Sequence, residues 1–336
     1  MQIREKIKRL TGLAMAAMVN TKAYVPSSDA LFSCIESMQI ESMQISSQTP
    51  ASSTPITPPT IPPTPKFGRT LDSGTGVHSM KWLVRLEESG CLTGWDGVTA
   101  DESMRRTVQR QLEDIKADSK GEIIIGNWAS DEEGGTGDKV TGFKVRNGNH
   151  GYLVKDRLYD TILCDYLIGA VDGFSPYYQD LIIPRVKRHL RPGGRIYVVG
   201  LNPVPDKVEG KGNVVCEVRR ARDAAILLAG HRCYREYPMS WITRHLTSSN
   251  LTVTSARKFP ILYSYESILR QINVGRSKLS YMDEGVRGGM KSLLDKLDEK
   301  AKEATREGRV KVGFDYVVAA ERKMDDEDGL VKETEE

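Results

Sequence analysis

The sequence predicts an α/β protein in which a parallel sheet is covered by helices on both faces. From Phe67 onward, short apolar runs alternate with amphipathic helical patterns, and this alternation is typical of β-α-β units. Hydrophobic residues make up 39% of the 336-residue chain, which is enough for a sizeable core. The runs that fit strands are Arg69–Asp72, Trp95–Ala100, Glu122–Ile125, Asp160–Cys164 and Arg195–Gly200, followed later by Leu251–Phe259 and Gly313–Arg322.

Composition and charge argue against several other classes of protein. The chain has 48 Lys and Arg against 45 Asp and Glu, so its net charge of +3 does not require a large phosphate-binding surface. No run of about 18 apolar residues is present, so we expect no membrane-spanning helix and no membrane partner. The five cysteines and five histidines lack CxxC and metal-ligand spacing, so neither a metal site nor a disulfide framework is expected.

Residues 1–66 differ from the rest of the chain, and we expect them to be disordered. Serine, threonine and proline dominate from Ser27 to Lys66, and the prolines of Thr49–Pro65 exclude a helix or central strand there because proline lacks an N–H donor. The first 18 residues combine an apolar helical face with basic residues and few acids. Two interpretations stay open: a transit peptide over 1–25 for a mitochondrion or plastid, or a tail on a cytoplasmic protein.

The acidic residues 324–336 are expected to form a solvated tail. The folded domain is therefore predicted over residues 67–323. Within it, Val140–Arg146 and Tyr152–Lys155 flank a turn-forming Asn-Gly-Asn-His-Gly segment, which predicts a β-hairpin.

The first motif is a glycine turn between a strand and a helix. Thr70–Leu83 reads as strand, tight turn and helix, and Gly74 and Gly76 let the backbone approach a ligand closely. The helix that follows points its N-terminal N–H groups at that ligand. A dinucleotide-binding turn of the form Gly-x-Gly-x-x-Gly has a third small residue for close packing, and Ser79 at that position is an imperfect match, which argues against an oxidoreductase. The alternative is an ordinary surface turn.

Polar residues follow the next strands at their carboxyl ends, which is the edge where open α/β sheets bind ligands. Asp101 follows the second strand and is either a ligand residue or a helix N-cap. Asn127 and Trp128 follow the third, and Trp128 either walls a ligand or belongs to the core. Asp165 and Tyr166 follow the fourth.

Two features of the sequence together resemble class I S-adenosylmethionine-dependent methyltransferases. They are the acid-x-Gly-x-Gly turn of Asp72–Gly76 and the Pro192-Gly193-Gly194 segment, which leads from the predicted helix Tyr177–Leu190 into the fifth strand. The resemblance covers about residues 67–322 and implies a Rossmann-like, seven-stranded, mostly parallel sheet with an antiparallel last strand beside the fifth. It implies S-adenosylmethionine as cofactor, held by Asp72, Ser73, Gly74, Thr75, Gly76, Asp101, Asn127, Trp128 and Asp165.

The resemblance also implies where the methyl acceptor binds. Asp165 and Tyr166 would face the reacting atoms, and the segment between strands five and six would shape the acceptor pocket. His231 in that segment is a candidate general base, and the alternative is an ordinary loop histidine. Most members have a helix before the first strand that closes over the cofactor, whereas here the proline-rich stretch leads directly into that strand. The resemblance therefore implies that this helix is missing, becomes ordered only on binding, or is supplied by another segment.

The implied activity is methyl transfer to an acceptor that the sequence does not identify. A small molecule is expected because the net charge is nearly neutral, and an Asn-Pro-Pro-Tyr motif typical of nucleic-acid amino-methyltransferases is absent after the fourth strand. Nucleic-acid and protein acceptors stay open, as does the oligomeric state. Three alternatives remain: an NAD(P)-dependent oxidoreductase, an aminopropyl transferase that uses a decarboxylated cofactor, and a non-catalytic cofactor-binding protein of the same fold.

Overall fold

The computed structural model describes residues 22–47, 64–115, 119, 121–128, 154 and 157–324. The strands are β1 (Gly68–Asp72), β2 (Leu92–Thr99), β3 (Glu122–Ile125), β4 (Tyr159–Asp165), β5 (Leu190–Leu201), β6 (Leu251–Tyr263) and β7 (Val310–Arg322). The helices are α1 (Ala30–Ser47), α2 (Val77–Glu88), α3 (Glu102–Ile115), α4 (Leu167–Phe174), α5 (Gln179–Lys187), α6 (Asn213–Leu228), α7 (Met239–Ser248), α8 (Tyr265–Ser277) and α9 (Glu284–Thr305). Within the described residues, none of these helices is long and apolar enough to cross a bilayer.

All seven strands form one sheet in the order β3-β2-β1-β4-β5-β7-β6. The five strands β1 to β5 run parallel, and β7 is antiparallel to both of its neighbours, β5 and β6. The predicted Rossmann-like seven-stranded sheet with an antiparallel last strand is confirmed. Its parallel part needs helical crossovers on both faces, because parallel strands cannot be joined by short hairpins.

Successive side chains of the central strands point to opposite faces of this sheet, and both faces are buried. On one face, Leu163 belongs to a core cluster built mainly with side chains of α1, α2 and α3. On the other, Ile162 belongs to a cluster built with side chains of α4, α5 and α7. A third cluster joins α6, α8 and α9 to Val310 and Val312, at the start of β7. That cluster lies beyond the carboxyl edge of the parallel strands, because the start of β7 and the end of β6 extend past the end of β5.

The prediction of disorder is wrong for residues 30–47, which form helix α1. The apolar residues Phe32, Ile35 and Met38 recur at helical spacing and are buried against the sheet and α2. Serines occupy the remaining faces, so a composition dominated by serine and proline concealed this pattern. The proline run of residues 48–63, the first 21 residues with most of the transit-peptide segment, most of the predicted hairpin, and residues 325–336 lie outside the described residues.

The fifth strand begins earlier than the sequence predicts. The segment Pro192-Gly193-Gly194 lies inside β5, where the register jumps from Tyr159 paired with Leu190 to Thr161 paired with Arg195. Gly193 has a φ of +73°, which favours glycine. The predicted helix over 177–190 is shorter and spans Gln179–Lys187. The glycines therefore make a bulge at the amino edge of the sheet, opposite the ligand-binding edge.

Glu36 of α1 fixes the N-terminal segment to α2. Its side chain is 1% exposed and accepts hydrogen bonds from Tyr24 Oη (2.8 Å), the Ser27 N–H (2.9 Å) and Trp82 Nε1 (2.8 Å). It also forms an ion pair with Arg85. A buried carboxylate is stable only with partners of this kind.

We expect Glu36→Ala to lower the free energy of unfolding by about 3 kcal/mol, because it leaves the Trp82 N–H and the Arg85 guanidinium without their buried acceptor. Glu41→Gln is the matched control on the same helix, since its partner Arg257 lies at the surface, and its cost should stay under about 1 kcal/mol. Urea denaturation followed by circular dichroism measures both. Equal losses in the two variants would contradict the role of Glu36.

Candidate functional site

Three carboxylates lie at the carboxyl edge of the sheet, on strands β1, β4 and β7. Asp72 pairs with Leu163, and Asp165 follows Leu163 by two residues, so both side chains lie on the same face of the sheet. Asp165 pairs with Val199, and Asp315 of β7 pairs with Leu201, two residues further along β5. Asp72, Asp165 and Asp315 therefore point to one face, the face covered by α1 and α2.

The Asp72 carboxylate is fully buried, and its hydrogen bonds are incomplete. Its Oδ1 accepts a long bond from the Gly74 N–H at 3.4 Å, and among the described residues no group donates to its Oδ2. The nearby hydroxyls of Thr75 and Ser79 already donate to the carbonyls of Asp72 and Gly76. Burial raises the pKa of Asp72 to about 6, even though these neighbours lower it.

The turn after Asp72 is held between two strands. Ser73 donates from its N–H and its hydroxyl to the Leu163 carbonyl of β4, at 2.9 and 2.6 Å. Thr75 donates from its N–H to the Val98 carbonyl of β2 at 2.7 Å. Gly76 then caps α2, where the buried Ser79 hydroxyl bonds both its N–H and its carbonyl. Ser79 thus supplies the small residue that close packing of helix and strand needs.

The two glycines of the turn differ in their surroundings. A Cβ on Gly74 would lie 3.2 Å from Leu167 Cβ, so this glycine allows the turn to pack on α4. A Cβ on Gly76 would meet no atom of the described residues within 4 Å, and its φ of −122° suits any residue. Open space beside a helix N-terminus is where an anionic group of a ligand can bind.

Asp101 is a helix N-cap. Its Oδ1 accepts from the N–H groups of Ser103 (2.6 Å) and Met104 (3.4 Å) at the start of α3. The hydrogen bond with Ser103 lowers the pKa of the carboxyl. The Oδ2 atom takes part in neither cap bond, so a ligand role for the second oxygen stays a prediction.

The residues that follow β3 are built into the core. Asn127 donates from Nδ2 to the Ser175 hydroxyl at 2.6 Å. Trp128 is only 6% exposed, and its Nε1 donates to the Ser73 carbonyl at 2.6 Å. Trp128 therefore holds the glycine turn against β3 from within the core and offers little ring surface to a ligand.

Asp165 and Tyr166 form the tip of β4. Burial, and then the charges of Asp72, Asp29 and Asp315, raise the pKa of Asp165 to about 7. Tyr166 has a φ of 49°, a left-handed conformation that is rare for tyrosine and costly in energy. Its N–H donates to the Val199 carbonyl at 3.1 Å. Burial raises the pKa of Asp315, and the Tyr166 hydroxyl lowers it.

The structure brings Glu236, rather than His231, to this tip. His231 is exposed, and its ring lies edge-on against Tyr281, 5.1 Å between centroids. The contacts of His231 do not join it to Asp165 and Tyr166. Glu236, five residues later, lies where a Cβ on Gly169 of α4 would be 2.8 Å from its Oε2. Burial, followed by the charge of Asp315, raises the pKa of Glu236 to about 7.

Asp29 adds a further carboxylate from the N-terminal segment. Its Oδ1 accepts from the N–H groups of Leu31 (2.9 Å) and Phe32 (3.1 Å) and so caps α1. Its Oδ2 lies 3.3 Å from Nε2 of His78, in the first turn of α2. Helix α1 therefore begins beside the N-terminus of α2, and its use as the helix that covers the cofactor stays a prediction. Sequence analysis missed Asp29, Glu236 and Asp315, although Asp315 is an acid within an otherwise apolar strand pattern.

The buried charge of Asp72 should make stability depend on pH in an unusual direction. Its folded pKa lies above its usual value, so ionisation disfavours the folded state at neutral pH, and this cost disappears as pH falls through 6 towards 4. Relative to Asp72→Asn, the wild type should therefore gain up to about 3 kcal/mol of stability as the medium is acidified. Urea denaturation of both proteins across this pH range measures the gain. A stability difference that is independent of pH would contradict the burial of an ionised Asp72.

Several known protein structures are similar to this chain but share little sequence identity with it. No family model matches the sequence, and no curated protein matches it significantly. A candidate methyltransferase from Bacillus halodurans is similar in structure, with a TM-score of 0.47 at 12% identity, over 76% of this chain and 92% of that one. The YcgJ protein from Bacillus subtilis gives a TM-score of 0.45 at 14% identity, over 77% and 92%. A candidate sarcosine dimethylglycine methyltransferase from Galdieria sulphuraria gives 0.40 at 12%, over 77% and 80%.

Similarity at this level identifies neither a substrate nor a catalytic residue. The strand order is a stronger criterion, because an antiparallel β7 between β5 and β6 distinguishes this sheet from that of a dehydrogenase. By that order and direction of its strands, the chain has the fold of the class I S-adenosylmethionine-dependent methyltransferases.

Proposed function

We propose that this protein binds S-adenosylmethionine at the carboxyl edge of its sheet and transfers the methyl group to a small-molecule acceptor. One observation carries the proposal: the buried Asp72 carboxylate, with Oδ2 unpartnered among the described residues, directly precedes the Gly74-Thr75-Gly76 turn at the start of α2. A buried ionised oxygen without a donor is costly, and a cationic ligand group would relieve that cost.

The residues present fit this cofactor on chemical grounds. Its amino-acid end carries an ammonium, which suits Asp72, and a carboxylate, which suits the N–H groups and open space at Gly76. Asp101 keeps one oxygen outside its cap bonds, and a carboxylate oxygen suits ribose hydroxyls. Asn127 is half-buried at the end of β3 and would face the adenine base. Trp128 serves as a positioning residue, because its Nε1 donates to the Ser73 carbonyl and so holds the turn in place.

When bound, the cofactor supplies an activated methyl group on a sulfonium. The protein then has to align an acceptor in line with that group and exclude water. Asp165 and Tyr166 lie at the tip of β4 where the acceptor would approach, and the loop over residues 231–238 covers this tip. Tyr316 Oη holds that loop in place by donating to the Tyr237 carbonyl at 2.9 Å. Asp165 and Glu236, whose pKa values are both raised to about 7, can accept a proton from the acceptor.

Calorimetric titration of the full chain tests the cofactor. We expect binding of S-adenosylmethionine and S-adenosylhomocysteine, and no comparable binding of NADH, NADPH or decarboxylated S-adenosylmethionine. Preference for a nicotinamide cofactor would replace the proposal with an oxidoreductase, and preference for the decarboxylated form would replace it with an aminopropyl transferase. Adenosyl binding with no methylated product across acceptors would favour a non-catalytic binding protein.

Gly76→Ala separates the ligand role of the turn from its structural role. The added Cβ meets no described protein atom within 4 Å and φ is ordinary, so stability should hold while affinity for S-adenosylhomocysteine falls about tenfold. Gly74→Val is a poorer test, because its side chain would press on Leu167. Gly288→Ala on α9, which also points into open space, is the matched control and should leave affinity unchanged. Unchanged affinity in Gly76→Ala would place the cofactor elsewhere.

A further inference from the structure

We propose that Arg185 is a positioning residue for cofactor binding, although it lies on α5, outside the proposed site. It acts through Trp128, which in turn sets the orientation of the peptide group between Ser73 and Gly74. This inference deepens the proposed function and rests on it. It identifies what keeps the glycine turn in the form that receives the cofactor, which the Gly-x-Gly pattern by itself does not determine.

The peptide group between Ser73 and Gly74 is bonded on both sides. Its carbonyl accepts the Trp128 indole Nε1–H at 2.6 Å, and its N–H donates to Asp72 Oδ1 at 3.4 Å. In a trans peptide these two groups point in opposite directions, so the peptide lies between the indole and the carboxylate. A half-turn of this peptide would set the Ser73 carbonyl against the Asp72 carboxylate and leave the indole N–H without this acceptor. The Trp128 bond therefore keeps an N–H group, rather than a carbonyl, facing the acid.

Trp128 needs support from another part of the fold. It follows β3, which has four residues and is an edge strand of the described sheet, paired with β2. The Trp128 backbone carbonyl accepts a hydrogen bond from the half-buried guanidinium of Arg185, in the last turn of α5. The Trp128 ring meets the buried His189 ring edge-on, 5.6 Å between centroids. The main chain and the ring of Trp128 therefore both depend on the end of α5 for their position.

The end of α5 is a rigid support. Ile183 and Val186, which flank Arg185 at short range in the sequence, are completely buried in the core on this face of the sheet. Close packing of this kind prevents the backbone that carries Arg185 from shifting. A charged guanidinium also makes a stronger hydrogen bond to a carbonyl than a neutral donor does. The contact between Arg185 and Trp128 thus transmits the position of a buried helix to the glycine turn.

The turn held in this way is the one that the proposed function assigns to the cofactor. A ligand binds more tightly to a turn that is already ordered, because less conformational entropy is lost on binding. Without the Arg185 donor, the backbone at Trp128 is tied less firmly, and the indole no longer fixes the Ser73 carbonyl. The loss falls on the binding turn, whereas the strands and the core clusters keep their contacts.

Arg185→Met removes the donor and keeps a long apolar side chain. We expect it to weaken the binding of S-adenosylhomocysteine about tenfold in calorimetric titration of the full chain. Arg185→Lys retains a cationic donor and should recover most of that affinity. Arg191→Met is the matched control, because its guanidinium pairs with Asp160 at the amino edge of the sheet, and it should leave the affinity unchanged. Wild-type affinity in Arg185→Met, or an equal loss in the control, would overturn the inference.

A double-mutant cycle tests whether Arg185 acts through Trp128. Trp128→Phe keeps an aromatic ring, removes the indole donor and should weaken S-adenosylhomocysteine binding about tenfold on its own. The double variant should bind no more weakly than Trp128→Phe, because both residues act on the Ser73 carbonyl. Losses that add would show that Arg185 acts elsewhere. Should Arg185→Met fail to fold, Arg185→Gln takes its place in the titration and in the cycle, since it is shorter and neutral but still polar.

Nuclear magnetic resonance observes the Trp128 bond directly. The chain has four tryptophans, so the Trp128 indole N–H signal is assigned by its loss in Trp128→Phe. In Arg185→Met this signal should move upfield before any ligand is added, since its hydrogen bond is weaker. The signal of Trp241, on α7, should stay in place. An unmoved Trp128 signal in a folded Arg185 variant would overturn the inference.

Failure of the inference is distinguishable from failure of the proposed function. Equal affinity for S-adenosylhomocysteine in the wild type and the Arg185 variants would overturn the role of Arg185 and leave the proposed function intact. Absent binding in the wild type would contradict the proposed function, and the role of Arg185 in cofactor binding would fall with it.

Discussion

The antiparallel pairing of β7 with β5 is the constraint on which the candidate site depends. It sets Gly200 opposite Tyr316 and Leu201 opposite Asp315, so an acid and a phenol reach the carboxyl edge on opposite faces of one strand. Gly200 is required there, because a Cβ would overlap the Tyr316 hydroxyl. That hydroxyl holds the loop over residues 231–238, and the charge of Asp315 acts on Tyr166 at the tip of β4. One register thus positions both the loop and the tip of β4.

The same edge carries charge that the ligand-free fold stabilises poorly. Burial raises the pKa values of Asp72, Asp165 and Glu236, so their ionised forms cost folding energy at neutral pH. Functional sites commonly carry such costs, and surrounding structure has to offset them. Here the large buried clusters on both sheet faces and the satisfied Glu36 network supply rigid support close to the acids. Glu36 is bonded by several donors and Asp72 is not, which is the contrast expected between a structural acid and the ligand-binding acid that Asp72 is proposed to be.

Local patterns in the sequence are sufficient for the strands and for the glycine turn. Apolar runs locate all seven strands, Gly74 and Gly76 predict the tight turn, and the antiparallel position of β7 beside β5 follows from the family resemblance. The position of Asp101 before a helix predicts an N-cap or a ligand residue, and the structure confirms the cap. Glu236 and Asp315 could not be assigned to the site in this way, since only the register of β7 with β5 and the path of a long loop bring them to Tyr166. The sequence favours His231 as the general base, because histidine is the usual base near neutral pH. Burial gives the carboxyl groups of Asp165 and Glu236 a comparable pKa of about 7.

Helix α1 changes what counts as the folded unit. A domain that begins at Phe67 would lose Phe32, which stacks on Trp82 with ring centroids 4.7 Å apart, and the buried Ile35. It would also leave the Trp82 N–H and Arg85 without Glu36. Asp29 would go with them, and with it the contact to His78 in the first turn of α2. Residues 22–47 therefore stabilise the helix whose N-terminus faces the proposed cofactor site, and binding experiments need the full chain because that helix belongs to the proposed binding surface.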